Sequence, residues 1–409
     1  MPFQSISRAL GLQGWVVEQI DFHGPDQLRL RVESTSPWHR CRRCGSRTTK
    51  AYDHRVRVLR DLSVFGRQVY LYVPQWRVDC PVCRAIVSEE LDLCEPGQMM
   101  TRRYEHYLAK LCELLPAQAV ARWEGLSWST VAHIDRKYLE KRQQAQRLED
   151  VRQICIDEVA YKKGQNYVTV VSDLISRKVL WVGKDRSKAT VAAFFAELGP
   201  AATAAIEVVA MDMSAAYIAA VTESAPQALI VYDRFHIMKY VHEAVDQVRR
   251  DEQAAADTQG KTTLKNKRWV LLKREKNLKV KERTKLAELL ALNAKLAKSY
   301  ILKEDFTLFF ECRDLDSAVQ FLDGWIKRAK ESQLQPFLHL VQQLQRWRFN
   351  LLNYFITPVS NGLAEAINNH INVIKRTAYG FRDVEFFMLK ILQRCGNLPP
   401  LAQVLQPCQ

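Results

Sequence analysis

The chain reads as a multidomain α/β protein: a zinc-ribbon-like β module, a helix-turn-helix, and a mixed-sheet domain carrying an all-helical insertion. Three observations predict this. Two C-x-x-C pairs lie among alternating strand-like runs near the N-terminus, and helical spacing replaces that alternation from Thr101. Beyond residue 150, three successive strand-like runs are followed by helix and strand in turn. That last pattern belongs to a mixed sheet with helices on its faces.

Taken in order, WVVEQIDF and QLRLRVE flank the breaker-rich HGPD and predict a β-hairpin within the first 37 residues. The strands RVRVLRDL and RQVYLYVPQWRVD lie between the cysteine pairs. Helices follow in TRRYEHYLAKLCELLP, QAVARWEG and SWSTVAHIDRKYLEKRQQAQRLED. The central block gives a strand at 153–161, strands YVTVVSDL and KVLWVGKDR, helix ATVAAFFAELG, strand IEVVAMDM, helix AAYIAAVTES and strand ALIVYDRF. From about Ile237 to Asn353 nearly everything has helical spacing. TPVSNG then supplies a breaker and a cap before the last long helix. The expected boundaries are 1–97 for the β and zinc module, 98–148 for the helix-turn-helix, and 149–395 for the catalytic domain. The insertion is expected at about 240–353 and a tail at 396–409.

A chain of 409 residues accommodates two or three domains with real cores. Its formal net charge of +15 points to a polyanionic partner. There is no secretory pattern at the N-terminus and no apolar run near the roughly 20 residues that span a bilayer. We therefore expect no membrane partner, a cytoplasmic location, and reduced thiols or metal ligands among the 10 cysteines.

CRRC (Cys41, Cys44) and CPVC (Cys80, Cys83) are spaced as two zinc knuckles, and four thiolates close a tetrahedral shell. One structural zinc is the expectation. The 35 residues between the knuckles exceed the usual spacing, so the intervening strands must bring the pairs together. Redox-active dithiols compete, but two pairs without a thioredoxin-like βαβ pattern favour the metal. Arg42 and Arg43, with Arg40 and Arg47, make this module a candidate contact for DNA phosphates. Cys94, Cys112, Cys155, Cys312, Cys395 and Cys408 have no partner spacing and read as structural thiols.

A turn at Gly125 and Leu126 between a short and a longer helix fits a helix-turn-helix. With Val131, Ile134 and Tyr138 packed, Ser129, Thr130, His133, Arg136 and Lys137 are left to meet DNA.

Three carboxylates carry the chemistry. Asp157 lies in the apolar strand ICIDEVAY, Asp212 ends the apolar run IEVVAMDM, and Glu365 lies in the helical SNGLAEAINNHINVIKRTAYGF. Burying a lone ionised carboxylate is costly, whereas hard divalent cations prefer such ligands. Two strand aspartates and a distant helix glutamate are the parts of a two-metal phosphoryl-transfer site. Glu158 is the rival to Asp157, and strand alternation allows only one of them to face the site. In the helix, Ala364, Ile367, Ile371 and Ile374 form the apolar stripe beside a polar stripe of Glu365, Asn369, Asn372 and Arg376.

In that order, the C-x-x-C pairs, the helix-turn-helix, IDEVAYKKGQNYVTVVSDL, VVAMDMSAAY, VYDRFHIMK and SNGLAEAINNHINVIKRTAYGFRD resemble the ISL3 family of bacterial insertion-sequence transposases. The resemblance runs from about residue 38 to 395, with DRFH and SNGLAEAINNHINVIKRTAYGF its most specific parts. It implies a ribonuclease-H-like domain with a DDE triad of Asp157, Asp212 and Glu365, holding two magnesium or manganese ions. Asp157 is preferred over Glu158 on this resemblance. It also implies Asp233 and His236 as accessory residues that orient ligands or position the strand.

On this reading the partners are double-stranded DNA, both terminal inverted repeats and target, and at least a second copy of the chain, since two ends are joined. Lys375, Arg376 and the basic helices near 261–285 would grip phosphates. Two other readings stand beside it: a DNA-binding regulator without chemistry, and a structure-selective nuclease of the same fold. Metal-dependent nicking separates the first of these, and a strand-transfer assay the second.

Overall fold

The computed structural model describes residues 2–162, 164, 166–256, 268–359 and 362–404. Ser360 and Asn361, the 261–267 part of the basic stretch, and Cys408 therefore lie outside the described residues. The chain forms two compact units, residues 1–141 and 142–404. The expected β module and most of the expected helix-turn-helix thus share the first unit.

The first unit opens with helix α1 (Pro2–Ala9) and is built on a five-stranded sheet. Its strands are β1 (Trp15–His23), β2 (Gln27–Ser34), β5 (Ala51–Val64), β6 (Arg67–Cys80) and β7 (Ala85–Ser88), in the order β1-β2-β6-β5 with β7 paired to β6. The predicted β1–β2 hairpin is antiparallel, and β2 runs parallel to β6. Two 14-residue strands, β5 and β6, turn at Phe65 and Gly66 with φ of 49° and 77°. Positive φ at both positions of a two-residue loop matches the twist of the flanking strands, and glycine adopts it without strain. Trp15, Val17, Leu30, Val32, Leu59, Leu71 and Val73 form the core beneath this sheet. A two-stranded ribbon, β3 (His39–Arg40) and β4 (Arg47–Thr48), carries the first knuckle. Helices α2 (Arg102–Leu114), α3 (Ala117–Glu124) and α4 (Trp128–Ala145) follow.

The second unit is the mixed sheet the sequence predicts. Strands β8 (Gln153–Lys162), β9 (Asn166–Asp173) and β10 (Val179–Lys184) are antiparallel neighbours. After helices α5 (Lys188–Leu198) and α6 (Pro200–Ala204), strand β11 (Val208–Met211) pairs parallel with β8. Helix α7 (Ala215–Ser224) leads to β12 (Leu229–Tyr232), parallel to β11. The order is β10-β9-β8-β11-β12. Short parallel strands buried on both faces read as continuous apolar runs, which is why VVAM and LIVY carry no charged residue.

Helices α8 (Arg234–Ala255), α9 (Arg268–Leu272), α10 (Val280–Leu292), α11 (Ala294–Phe309), α12 (Leu315–Glu331) and α13 (Gln335–Leu352) make the expected helical segment. Their side chains share one core with the sheet face bearing Ile154, Ile156, Val209, Met211 and Tyr232. Trp325, fully buried, packs on Phe306 with ring centroids 4.8 Å apart and donates Nε1–H to the Leu302 carbonyl at 2.9 Å. The segment is fastened back to the sheet: Asn353 Nδ2 donates to the Ile230 carbonyl at 2.8 Å and Asn350 Nδ2 to the Tyr232 hydroxyl at 3.0 Å. The chain then enters α14 (Gly362–Thr377), followed by α15 (Val384–Cys395) and α16 (Leu401–Val404). On the other sheet face, Ala364 of α14 is buried with Cys155 and Ala210. Among the described residues, no helix is long and apolar enough to cross a membrane.

Replacing Trp325 with alanine removes the largest fully buried side chain and its hydrogen bond to the Leu302 carbonyl. We expect a loss of about 3–5 kcal/mol from the second unit, read as a lowered denaturant midpoint against unchanged unfolding of the first.

Candidate active site and nucleic-acid interface

The knuckles meet because the long β5–β6 hairpin returns Cys80 to the ribbon holding Cys41. Sγ of Cys41 lies 3.8 Å from Sγ of Cys83, and Sγ of Cys44 lies 3.5 Å from Sγ of Cys80. All four sulfurs are within 4.8 Å of one another. Tetrahedral zinc with bonds of about 2.3 Å requires sulfurs about 3.8 Å apart, so the residues present fit the ion. The Ser46 hydroxyl lies 3.1 Å from both Cys44 and Cys80. That contact brings the Cys80 thiol down to about 6, while Cys44 pushes Cys83 up to about 12. Crowded sulfurs divided in this way are what a divalent cation resolves by replacing their protons. Arg42 and Arg43 are exposed at the first knuckle.

In the helix-turn-helix, Gly125 closes α3 with φ of 67°, a left-handed cap that favours glycine. Ser127 Oγ accepts from the Thr130 N–H at 3.1 Å and starts α4. Val131, Ile134 and Tyr138 are buried as expected, and Ser129 and His133 are exposed. Thr130 lends its hydroxyl to Ser127 at 2.7 Å. Arg136 pairs with Glu140 at 2.9 Å along the helix surface. Lys137 is placed differently from the sequence expectation: its ammonium binds buried Glu105 at 2.7 Å, which also accepts from the Tyr138 hydroxyl. Buried Glu105 needs that cation, so Lys137 fastens α4 to α2. Exposed Trp123 and Trp128 flank the start of α4, a feature the polar-residue reading passed over.

Asp212 and Asp233 follow the ends of β11 and β12, and Asp157 lies within β8 where its parallel pairing with β11 stops. Met211 is paired with Ile156 on one side and Tyr232 on the other. Asp157, Asp212 and Asp233 each follow one of these residues, so three carboxylates stand one step beyond the same level of three adjacent strands. The Asp233 N–H continues the ladder to the Met211 carbonyl at 3.0 Å. Its carboxylate caps α8, accepting from the Phe235 N–H at 2.8 Å, and its Oδ2 lies 3.5 Å from His236 Nε2. Asp212 accepts from the Ser214 N–H at 2.9 Å at the entrance to α7.

Asp157 accepts twice, from the Glu158 N–H at 2.8 Å on Oδ1 and from Asn368 Nδ2 at 2.7 Å on Oδ2. Burial holds its carboxyl above the ordinary range, the Glu158 and Asn368 hydrogen bonds and His236 oppose this, and Asp233 adds to it. Glu158 is raised by burial and then by Asp212, and its oxygen meets Arg186 at 3.3 Å. The residue that touches α14 is therefore Asp157, while Glu158 is answered by an arginine.

Glu365 is exposed, in the first turn of α14 and one turn before Asn368. Asp157, Asp212 and Glu365 are not drawn into one tight cluster: among the described residues, the four cysteines alone form a group of three or more metal-ligating atoms at mutual reach. Lys375, expected at phosphates, donates to the Ala160 carbonyl at 2.9 Å and fastens α14 to β8. Arg376 is exposed and bonds the Asn372 carbonyl at 3.3 Å. Asn368 was missed by the sequence reading; its position three residues after Glu365 and four after buried Ala364 is the signal that finds it.

Three family models match the chain. One described as a transposase covers residues 154–391, a helix-turn-helix domain of transposase family ISL3 covers 89–139, and a zinc-finger of transposase IS204/IS1001/IS1096/IS1165 covers 37–83. The chain is 35% identical to the transposase for insertion sequence element IS1001 of Bordetella parapertussis, over 93% of this chain and 95% of that protein. It is 29% identical to the transposase for insertion sequence element IS1557 of Mycobacterium tuberculosis, over 94% of each.

If the cysteines hold zinc, Cys44→Ser should lower bound zinc from about one ion per chain to near zero, because a structural site needs its full shell. Metal analysis by mass spectrometry checks this, alongside a lowered melting temperature of the first unit.

Proposed function

This chain belongs to the ISL3 family of transposases, and from that premise we propose a DDE mechanism carried by Asp157, Asp212 and Glu365 in a ribonuclease-H-like catalytic domain. The function is that of an insertion-sequence transposase; the assignment of residues and steps is our reading. It is carried by the strand register that puts Asp157 within β8, and Asp212 and Asp233 just after β11 and β12, one step beyond the same paired level, with the helix of Glu365 packed against β8. Parallel neighbours lie about 4.8 Å apart, within the span that bridging carboxylates serve. We also propose the boundaries given above for the zinc module, the helix-turn-helix and the catalytic domain with its helical insertion.

Asp157, Asp212 and Glu365 offer the hard oxygen ligands for two magnesium or manganese ions. Bound there, such a pair activates an attacking oxygen and stabilises a leaving one. The fit is chemical: a buried carboxylate held by N–H donors, with Asp233 Oδ2 and Asn368 Oδ1 buried and without hydrogen-bond partners. Asp157 is kept oriented by its two donors. Glu365 must swing or seat inward from its exposed position to join it, which the approach of DNA would drive. Asp233 holds the start of α8 and His236 beside the site. A water hydrolyses the phosphodiester at each element end, and the freed 3′-hydroxyl then attacks target DNA in line. No protein side chain enters a covalent bond with DNA.

The zinc module with Arg42 and Arg43, and α4 with Ser129, Thr130, His133 and Arg136, recognise the terminal inverted repeats. Arg376 and the basic stretch near 261–285 hold phosphates by a salt-dependent attraction. Joining two ends calls for at least a dimer in the DNA complex. We place the protein in the bacterial cytoplasm with its DNA.

Alanine at Asp157, Asp212 or Glu365 should reduce end cleavage at least about a thousandfold, or ~4 kcal/mol of barrier, with end binding intact in a gel-shift assay. Any one of them that cleaves at full rate leaves the triad. A wild-type protein that nicks the repeat but joins no target would favour the nuclease reading. Arg42→Ala and Arg43→Ala should each reduce the slope of log affinity against log salt by about 1; an unchanged slope removes that arginine from the interface.

A further inference from the structure

Helix α14 is fastened to strand β8 at two polar points. Asn368 Nδ2 donates to Asp157 Oδ2 at 2.7 Å, and Lys375 Nζ, two turns later, donates to the Ala160 carbonyl at 2.9 Å. Ala364 of the same helix is buried with Cys155 of β8 and Ala210 of β11 and supplies an apolar part of the same seat. Of the two polar points, Asn368 alone touches a carboxylate assigned to the chemistry. An asparagine amide has a donor end and an acceptor end, and an ionised carboxylate accepts only the donor. The charge of Asp157 therefore decides which way the amide faces.

That orientation has a second effect. With Nδ2 on Asp157, Asn368 Oδ1 is turned from the carboxylate, and it is buried without a hydrogen-bond partner. Asp233, 4% exposed just after β12, holds Oδ2 buried without a hydrogen bond, faced by His236 Nε2 at 3.5 Å. Native interiors rarely leave such acceptors unmet unless a water, ion or ligand meets them. Both are hard oxygens, the donors that divalent cations take. Glu365 precedes Asn368 by three residues, so the two are neighbours on one side of the helix.

We propose that Asn368 is the positioning residue of this site: it seats the first turns of α14 on Asp157, so setting where Glu365 is presented, and it supplies a neutral oxygen beside the carboxylates. This rests on the triad reading. Asn368 takes no proton and forms no bond to DNA. Its role is to make the position of the glutamate depend on the presence of the first aspartate. Lys375 holds the far end of the helix by a backbone carbonyl and carries no such dependence.

The test uses the full chain, with amide hydrogen exchange over residues 362–370 measured without metal and manganese binding followed by electron paramagnetic resonance on the end-bound protein. Asn368→Asp sets carboxylate against carboxylate, and exchange in the first turns of α14 should quicken at least about tenfold. Adding Asp157→Asn restores a donor–acceptor pair with the roles exchanged; exchange should return close to wild type while cleavage stays absent. Asn368→Leu keeps the shape without the donor, and should weaken manganese binding and cleavage about 10–100-fold with end binding unchanged. Exchange in Asn368→Asp equal to wild type, or not restored by the second change, overturns the proposal. Should Asn368→Asp fail to fold, wild-type exchange and manganese affinity in Asn368→Leu overturn it equally. Failure of the triad reading looks different: Asp157→Ala would cleave at full rate while the exchange coupling stood.

Discussion

Three carboxylates one step beyond the last parallel-paired level of β8, β11 and β12 are the constraint around which the second unit is arranged. An apolar strand gives a parallel sheet its core, but an acid one step beyond the last parallel-paired residue must find donors, cations or water. Asp233 finds the start of α8, Asp212 the turn into α7, and Asp157 the Glu158 N–H and Asn368. Each acid thereby also fixes the start or seat of a helix: α8, α7 and α14 respectively. The helical segment between β12 and α14 matters to the site through its anchors: Asn353 and Asn350 bring the chain back to β12 before it enters the helix of Glu365.

The first unit solves another problem of distance. Its four cysteines are two knuckles separated by a hairpin whose strands are 14 residues each, and the metal site exists only when that hairpin is in register. Apolar burial under β1, β2, β5 and β6 sets the register, and the sulfur spacing follows from it. The same sheet reaches the helix-turn-helix: Asp61 of β5 accepts from the Thr101 hydroxyl at 2.7 Å and from Arg103 Nε at 2.8 Å, fixing the start of α2. Zinc module and helix-turn-helix are accordingly one compact unit, although sequence composition divides them at residue 97.

Much of this was legible in the chain because apolar period and breakers coincide. The β1–β2 hairpin, the three antiparallel strands, the two parallel ones and the helices between them follow the runs that the sequence marks. The buried stripe Ala364, Ile367, Ile371 and Ile374 is also the stripe that spacing gives. Long-range partners were not legible. Lys137 and Lys375 look like free basic residues in sequence, yet one answers buried Glu105 and the other a strand carbonyl. Nothing local to a lysine tells whether a distant acceptor waits for it. Asp157 and Glu158 could not be separated by alternation, and Asn368 on one and Arg186 on the other now distinguish them. Asn368 itself was hidden among the three asparagines of one helix, Asn368, Asn369 and Asn372, since only the tertiary fold says which of them meets the sheet.

The central claim is that Asp157 of β8, Asp212 after β11 and Glu365 of α14 make a single metal site when DNA is bound. The most direct measurement is a crystal structure of the end-bound protein in manganese, with the ions located by anomalous scattering. The account predicts two ions roughly 3.5–4 Å apart, held by Asp157, Asp212 and Glu365, with Glu158 still on Arg186. Ions held by Glu158, or Glu365 still exposed and remote from both ions, would contradict it.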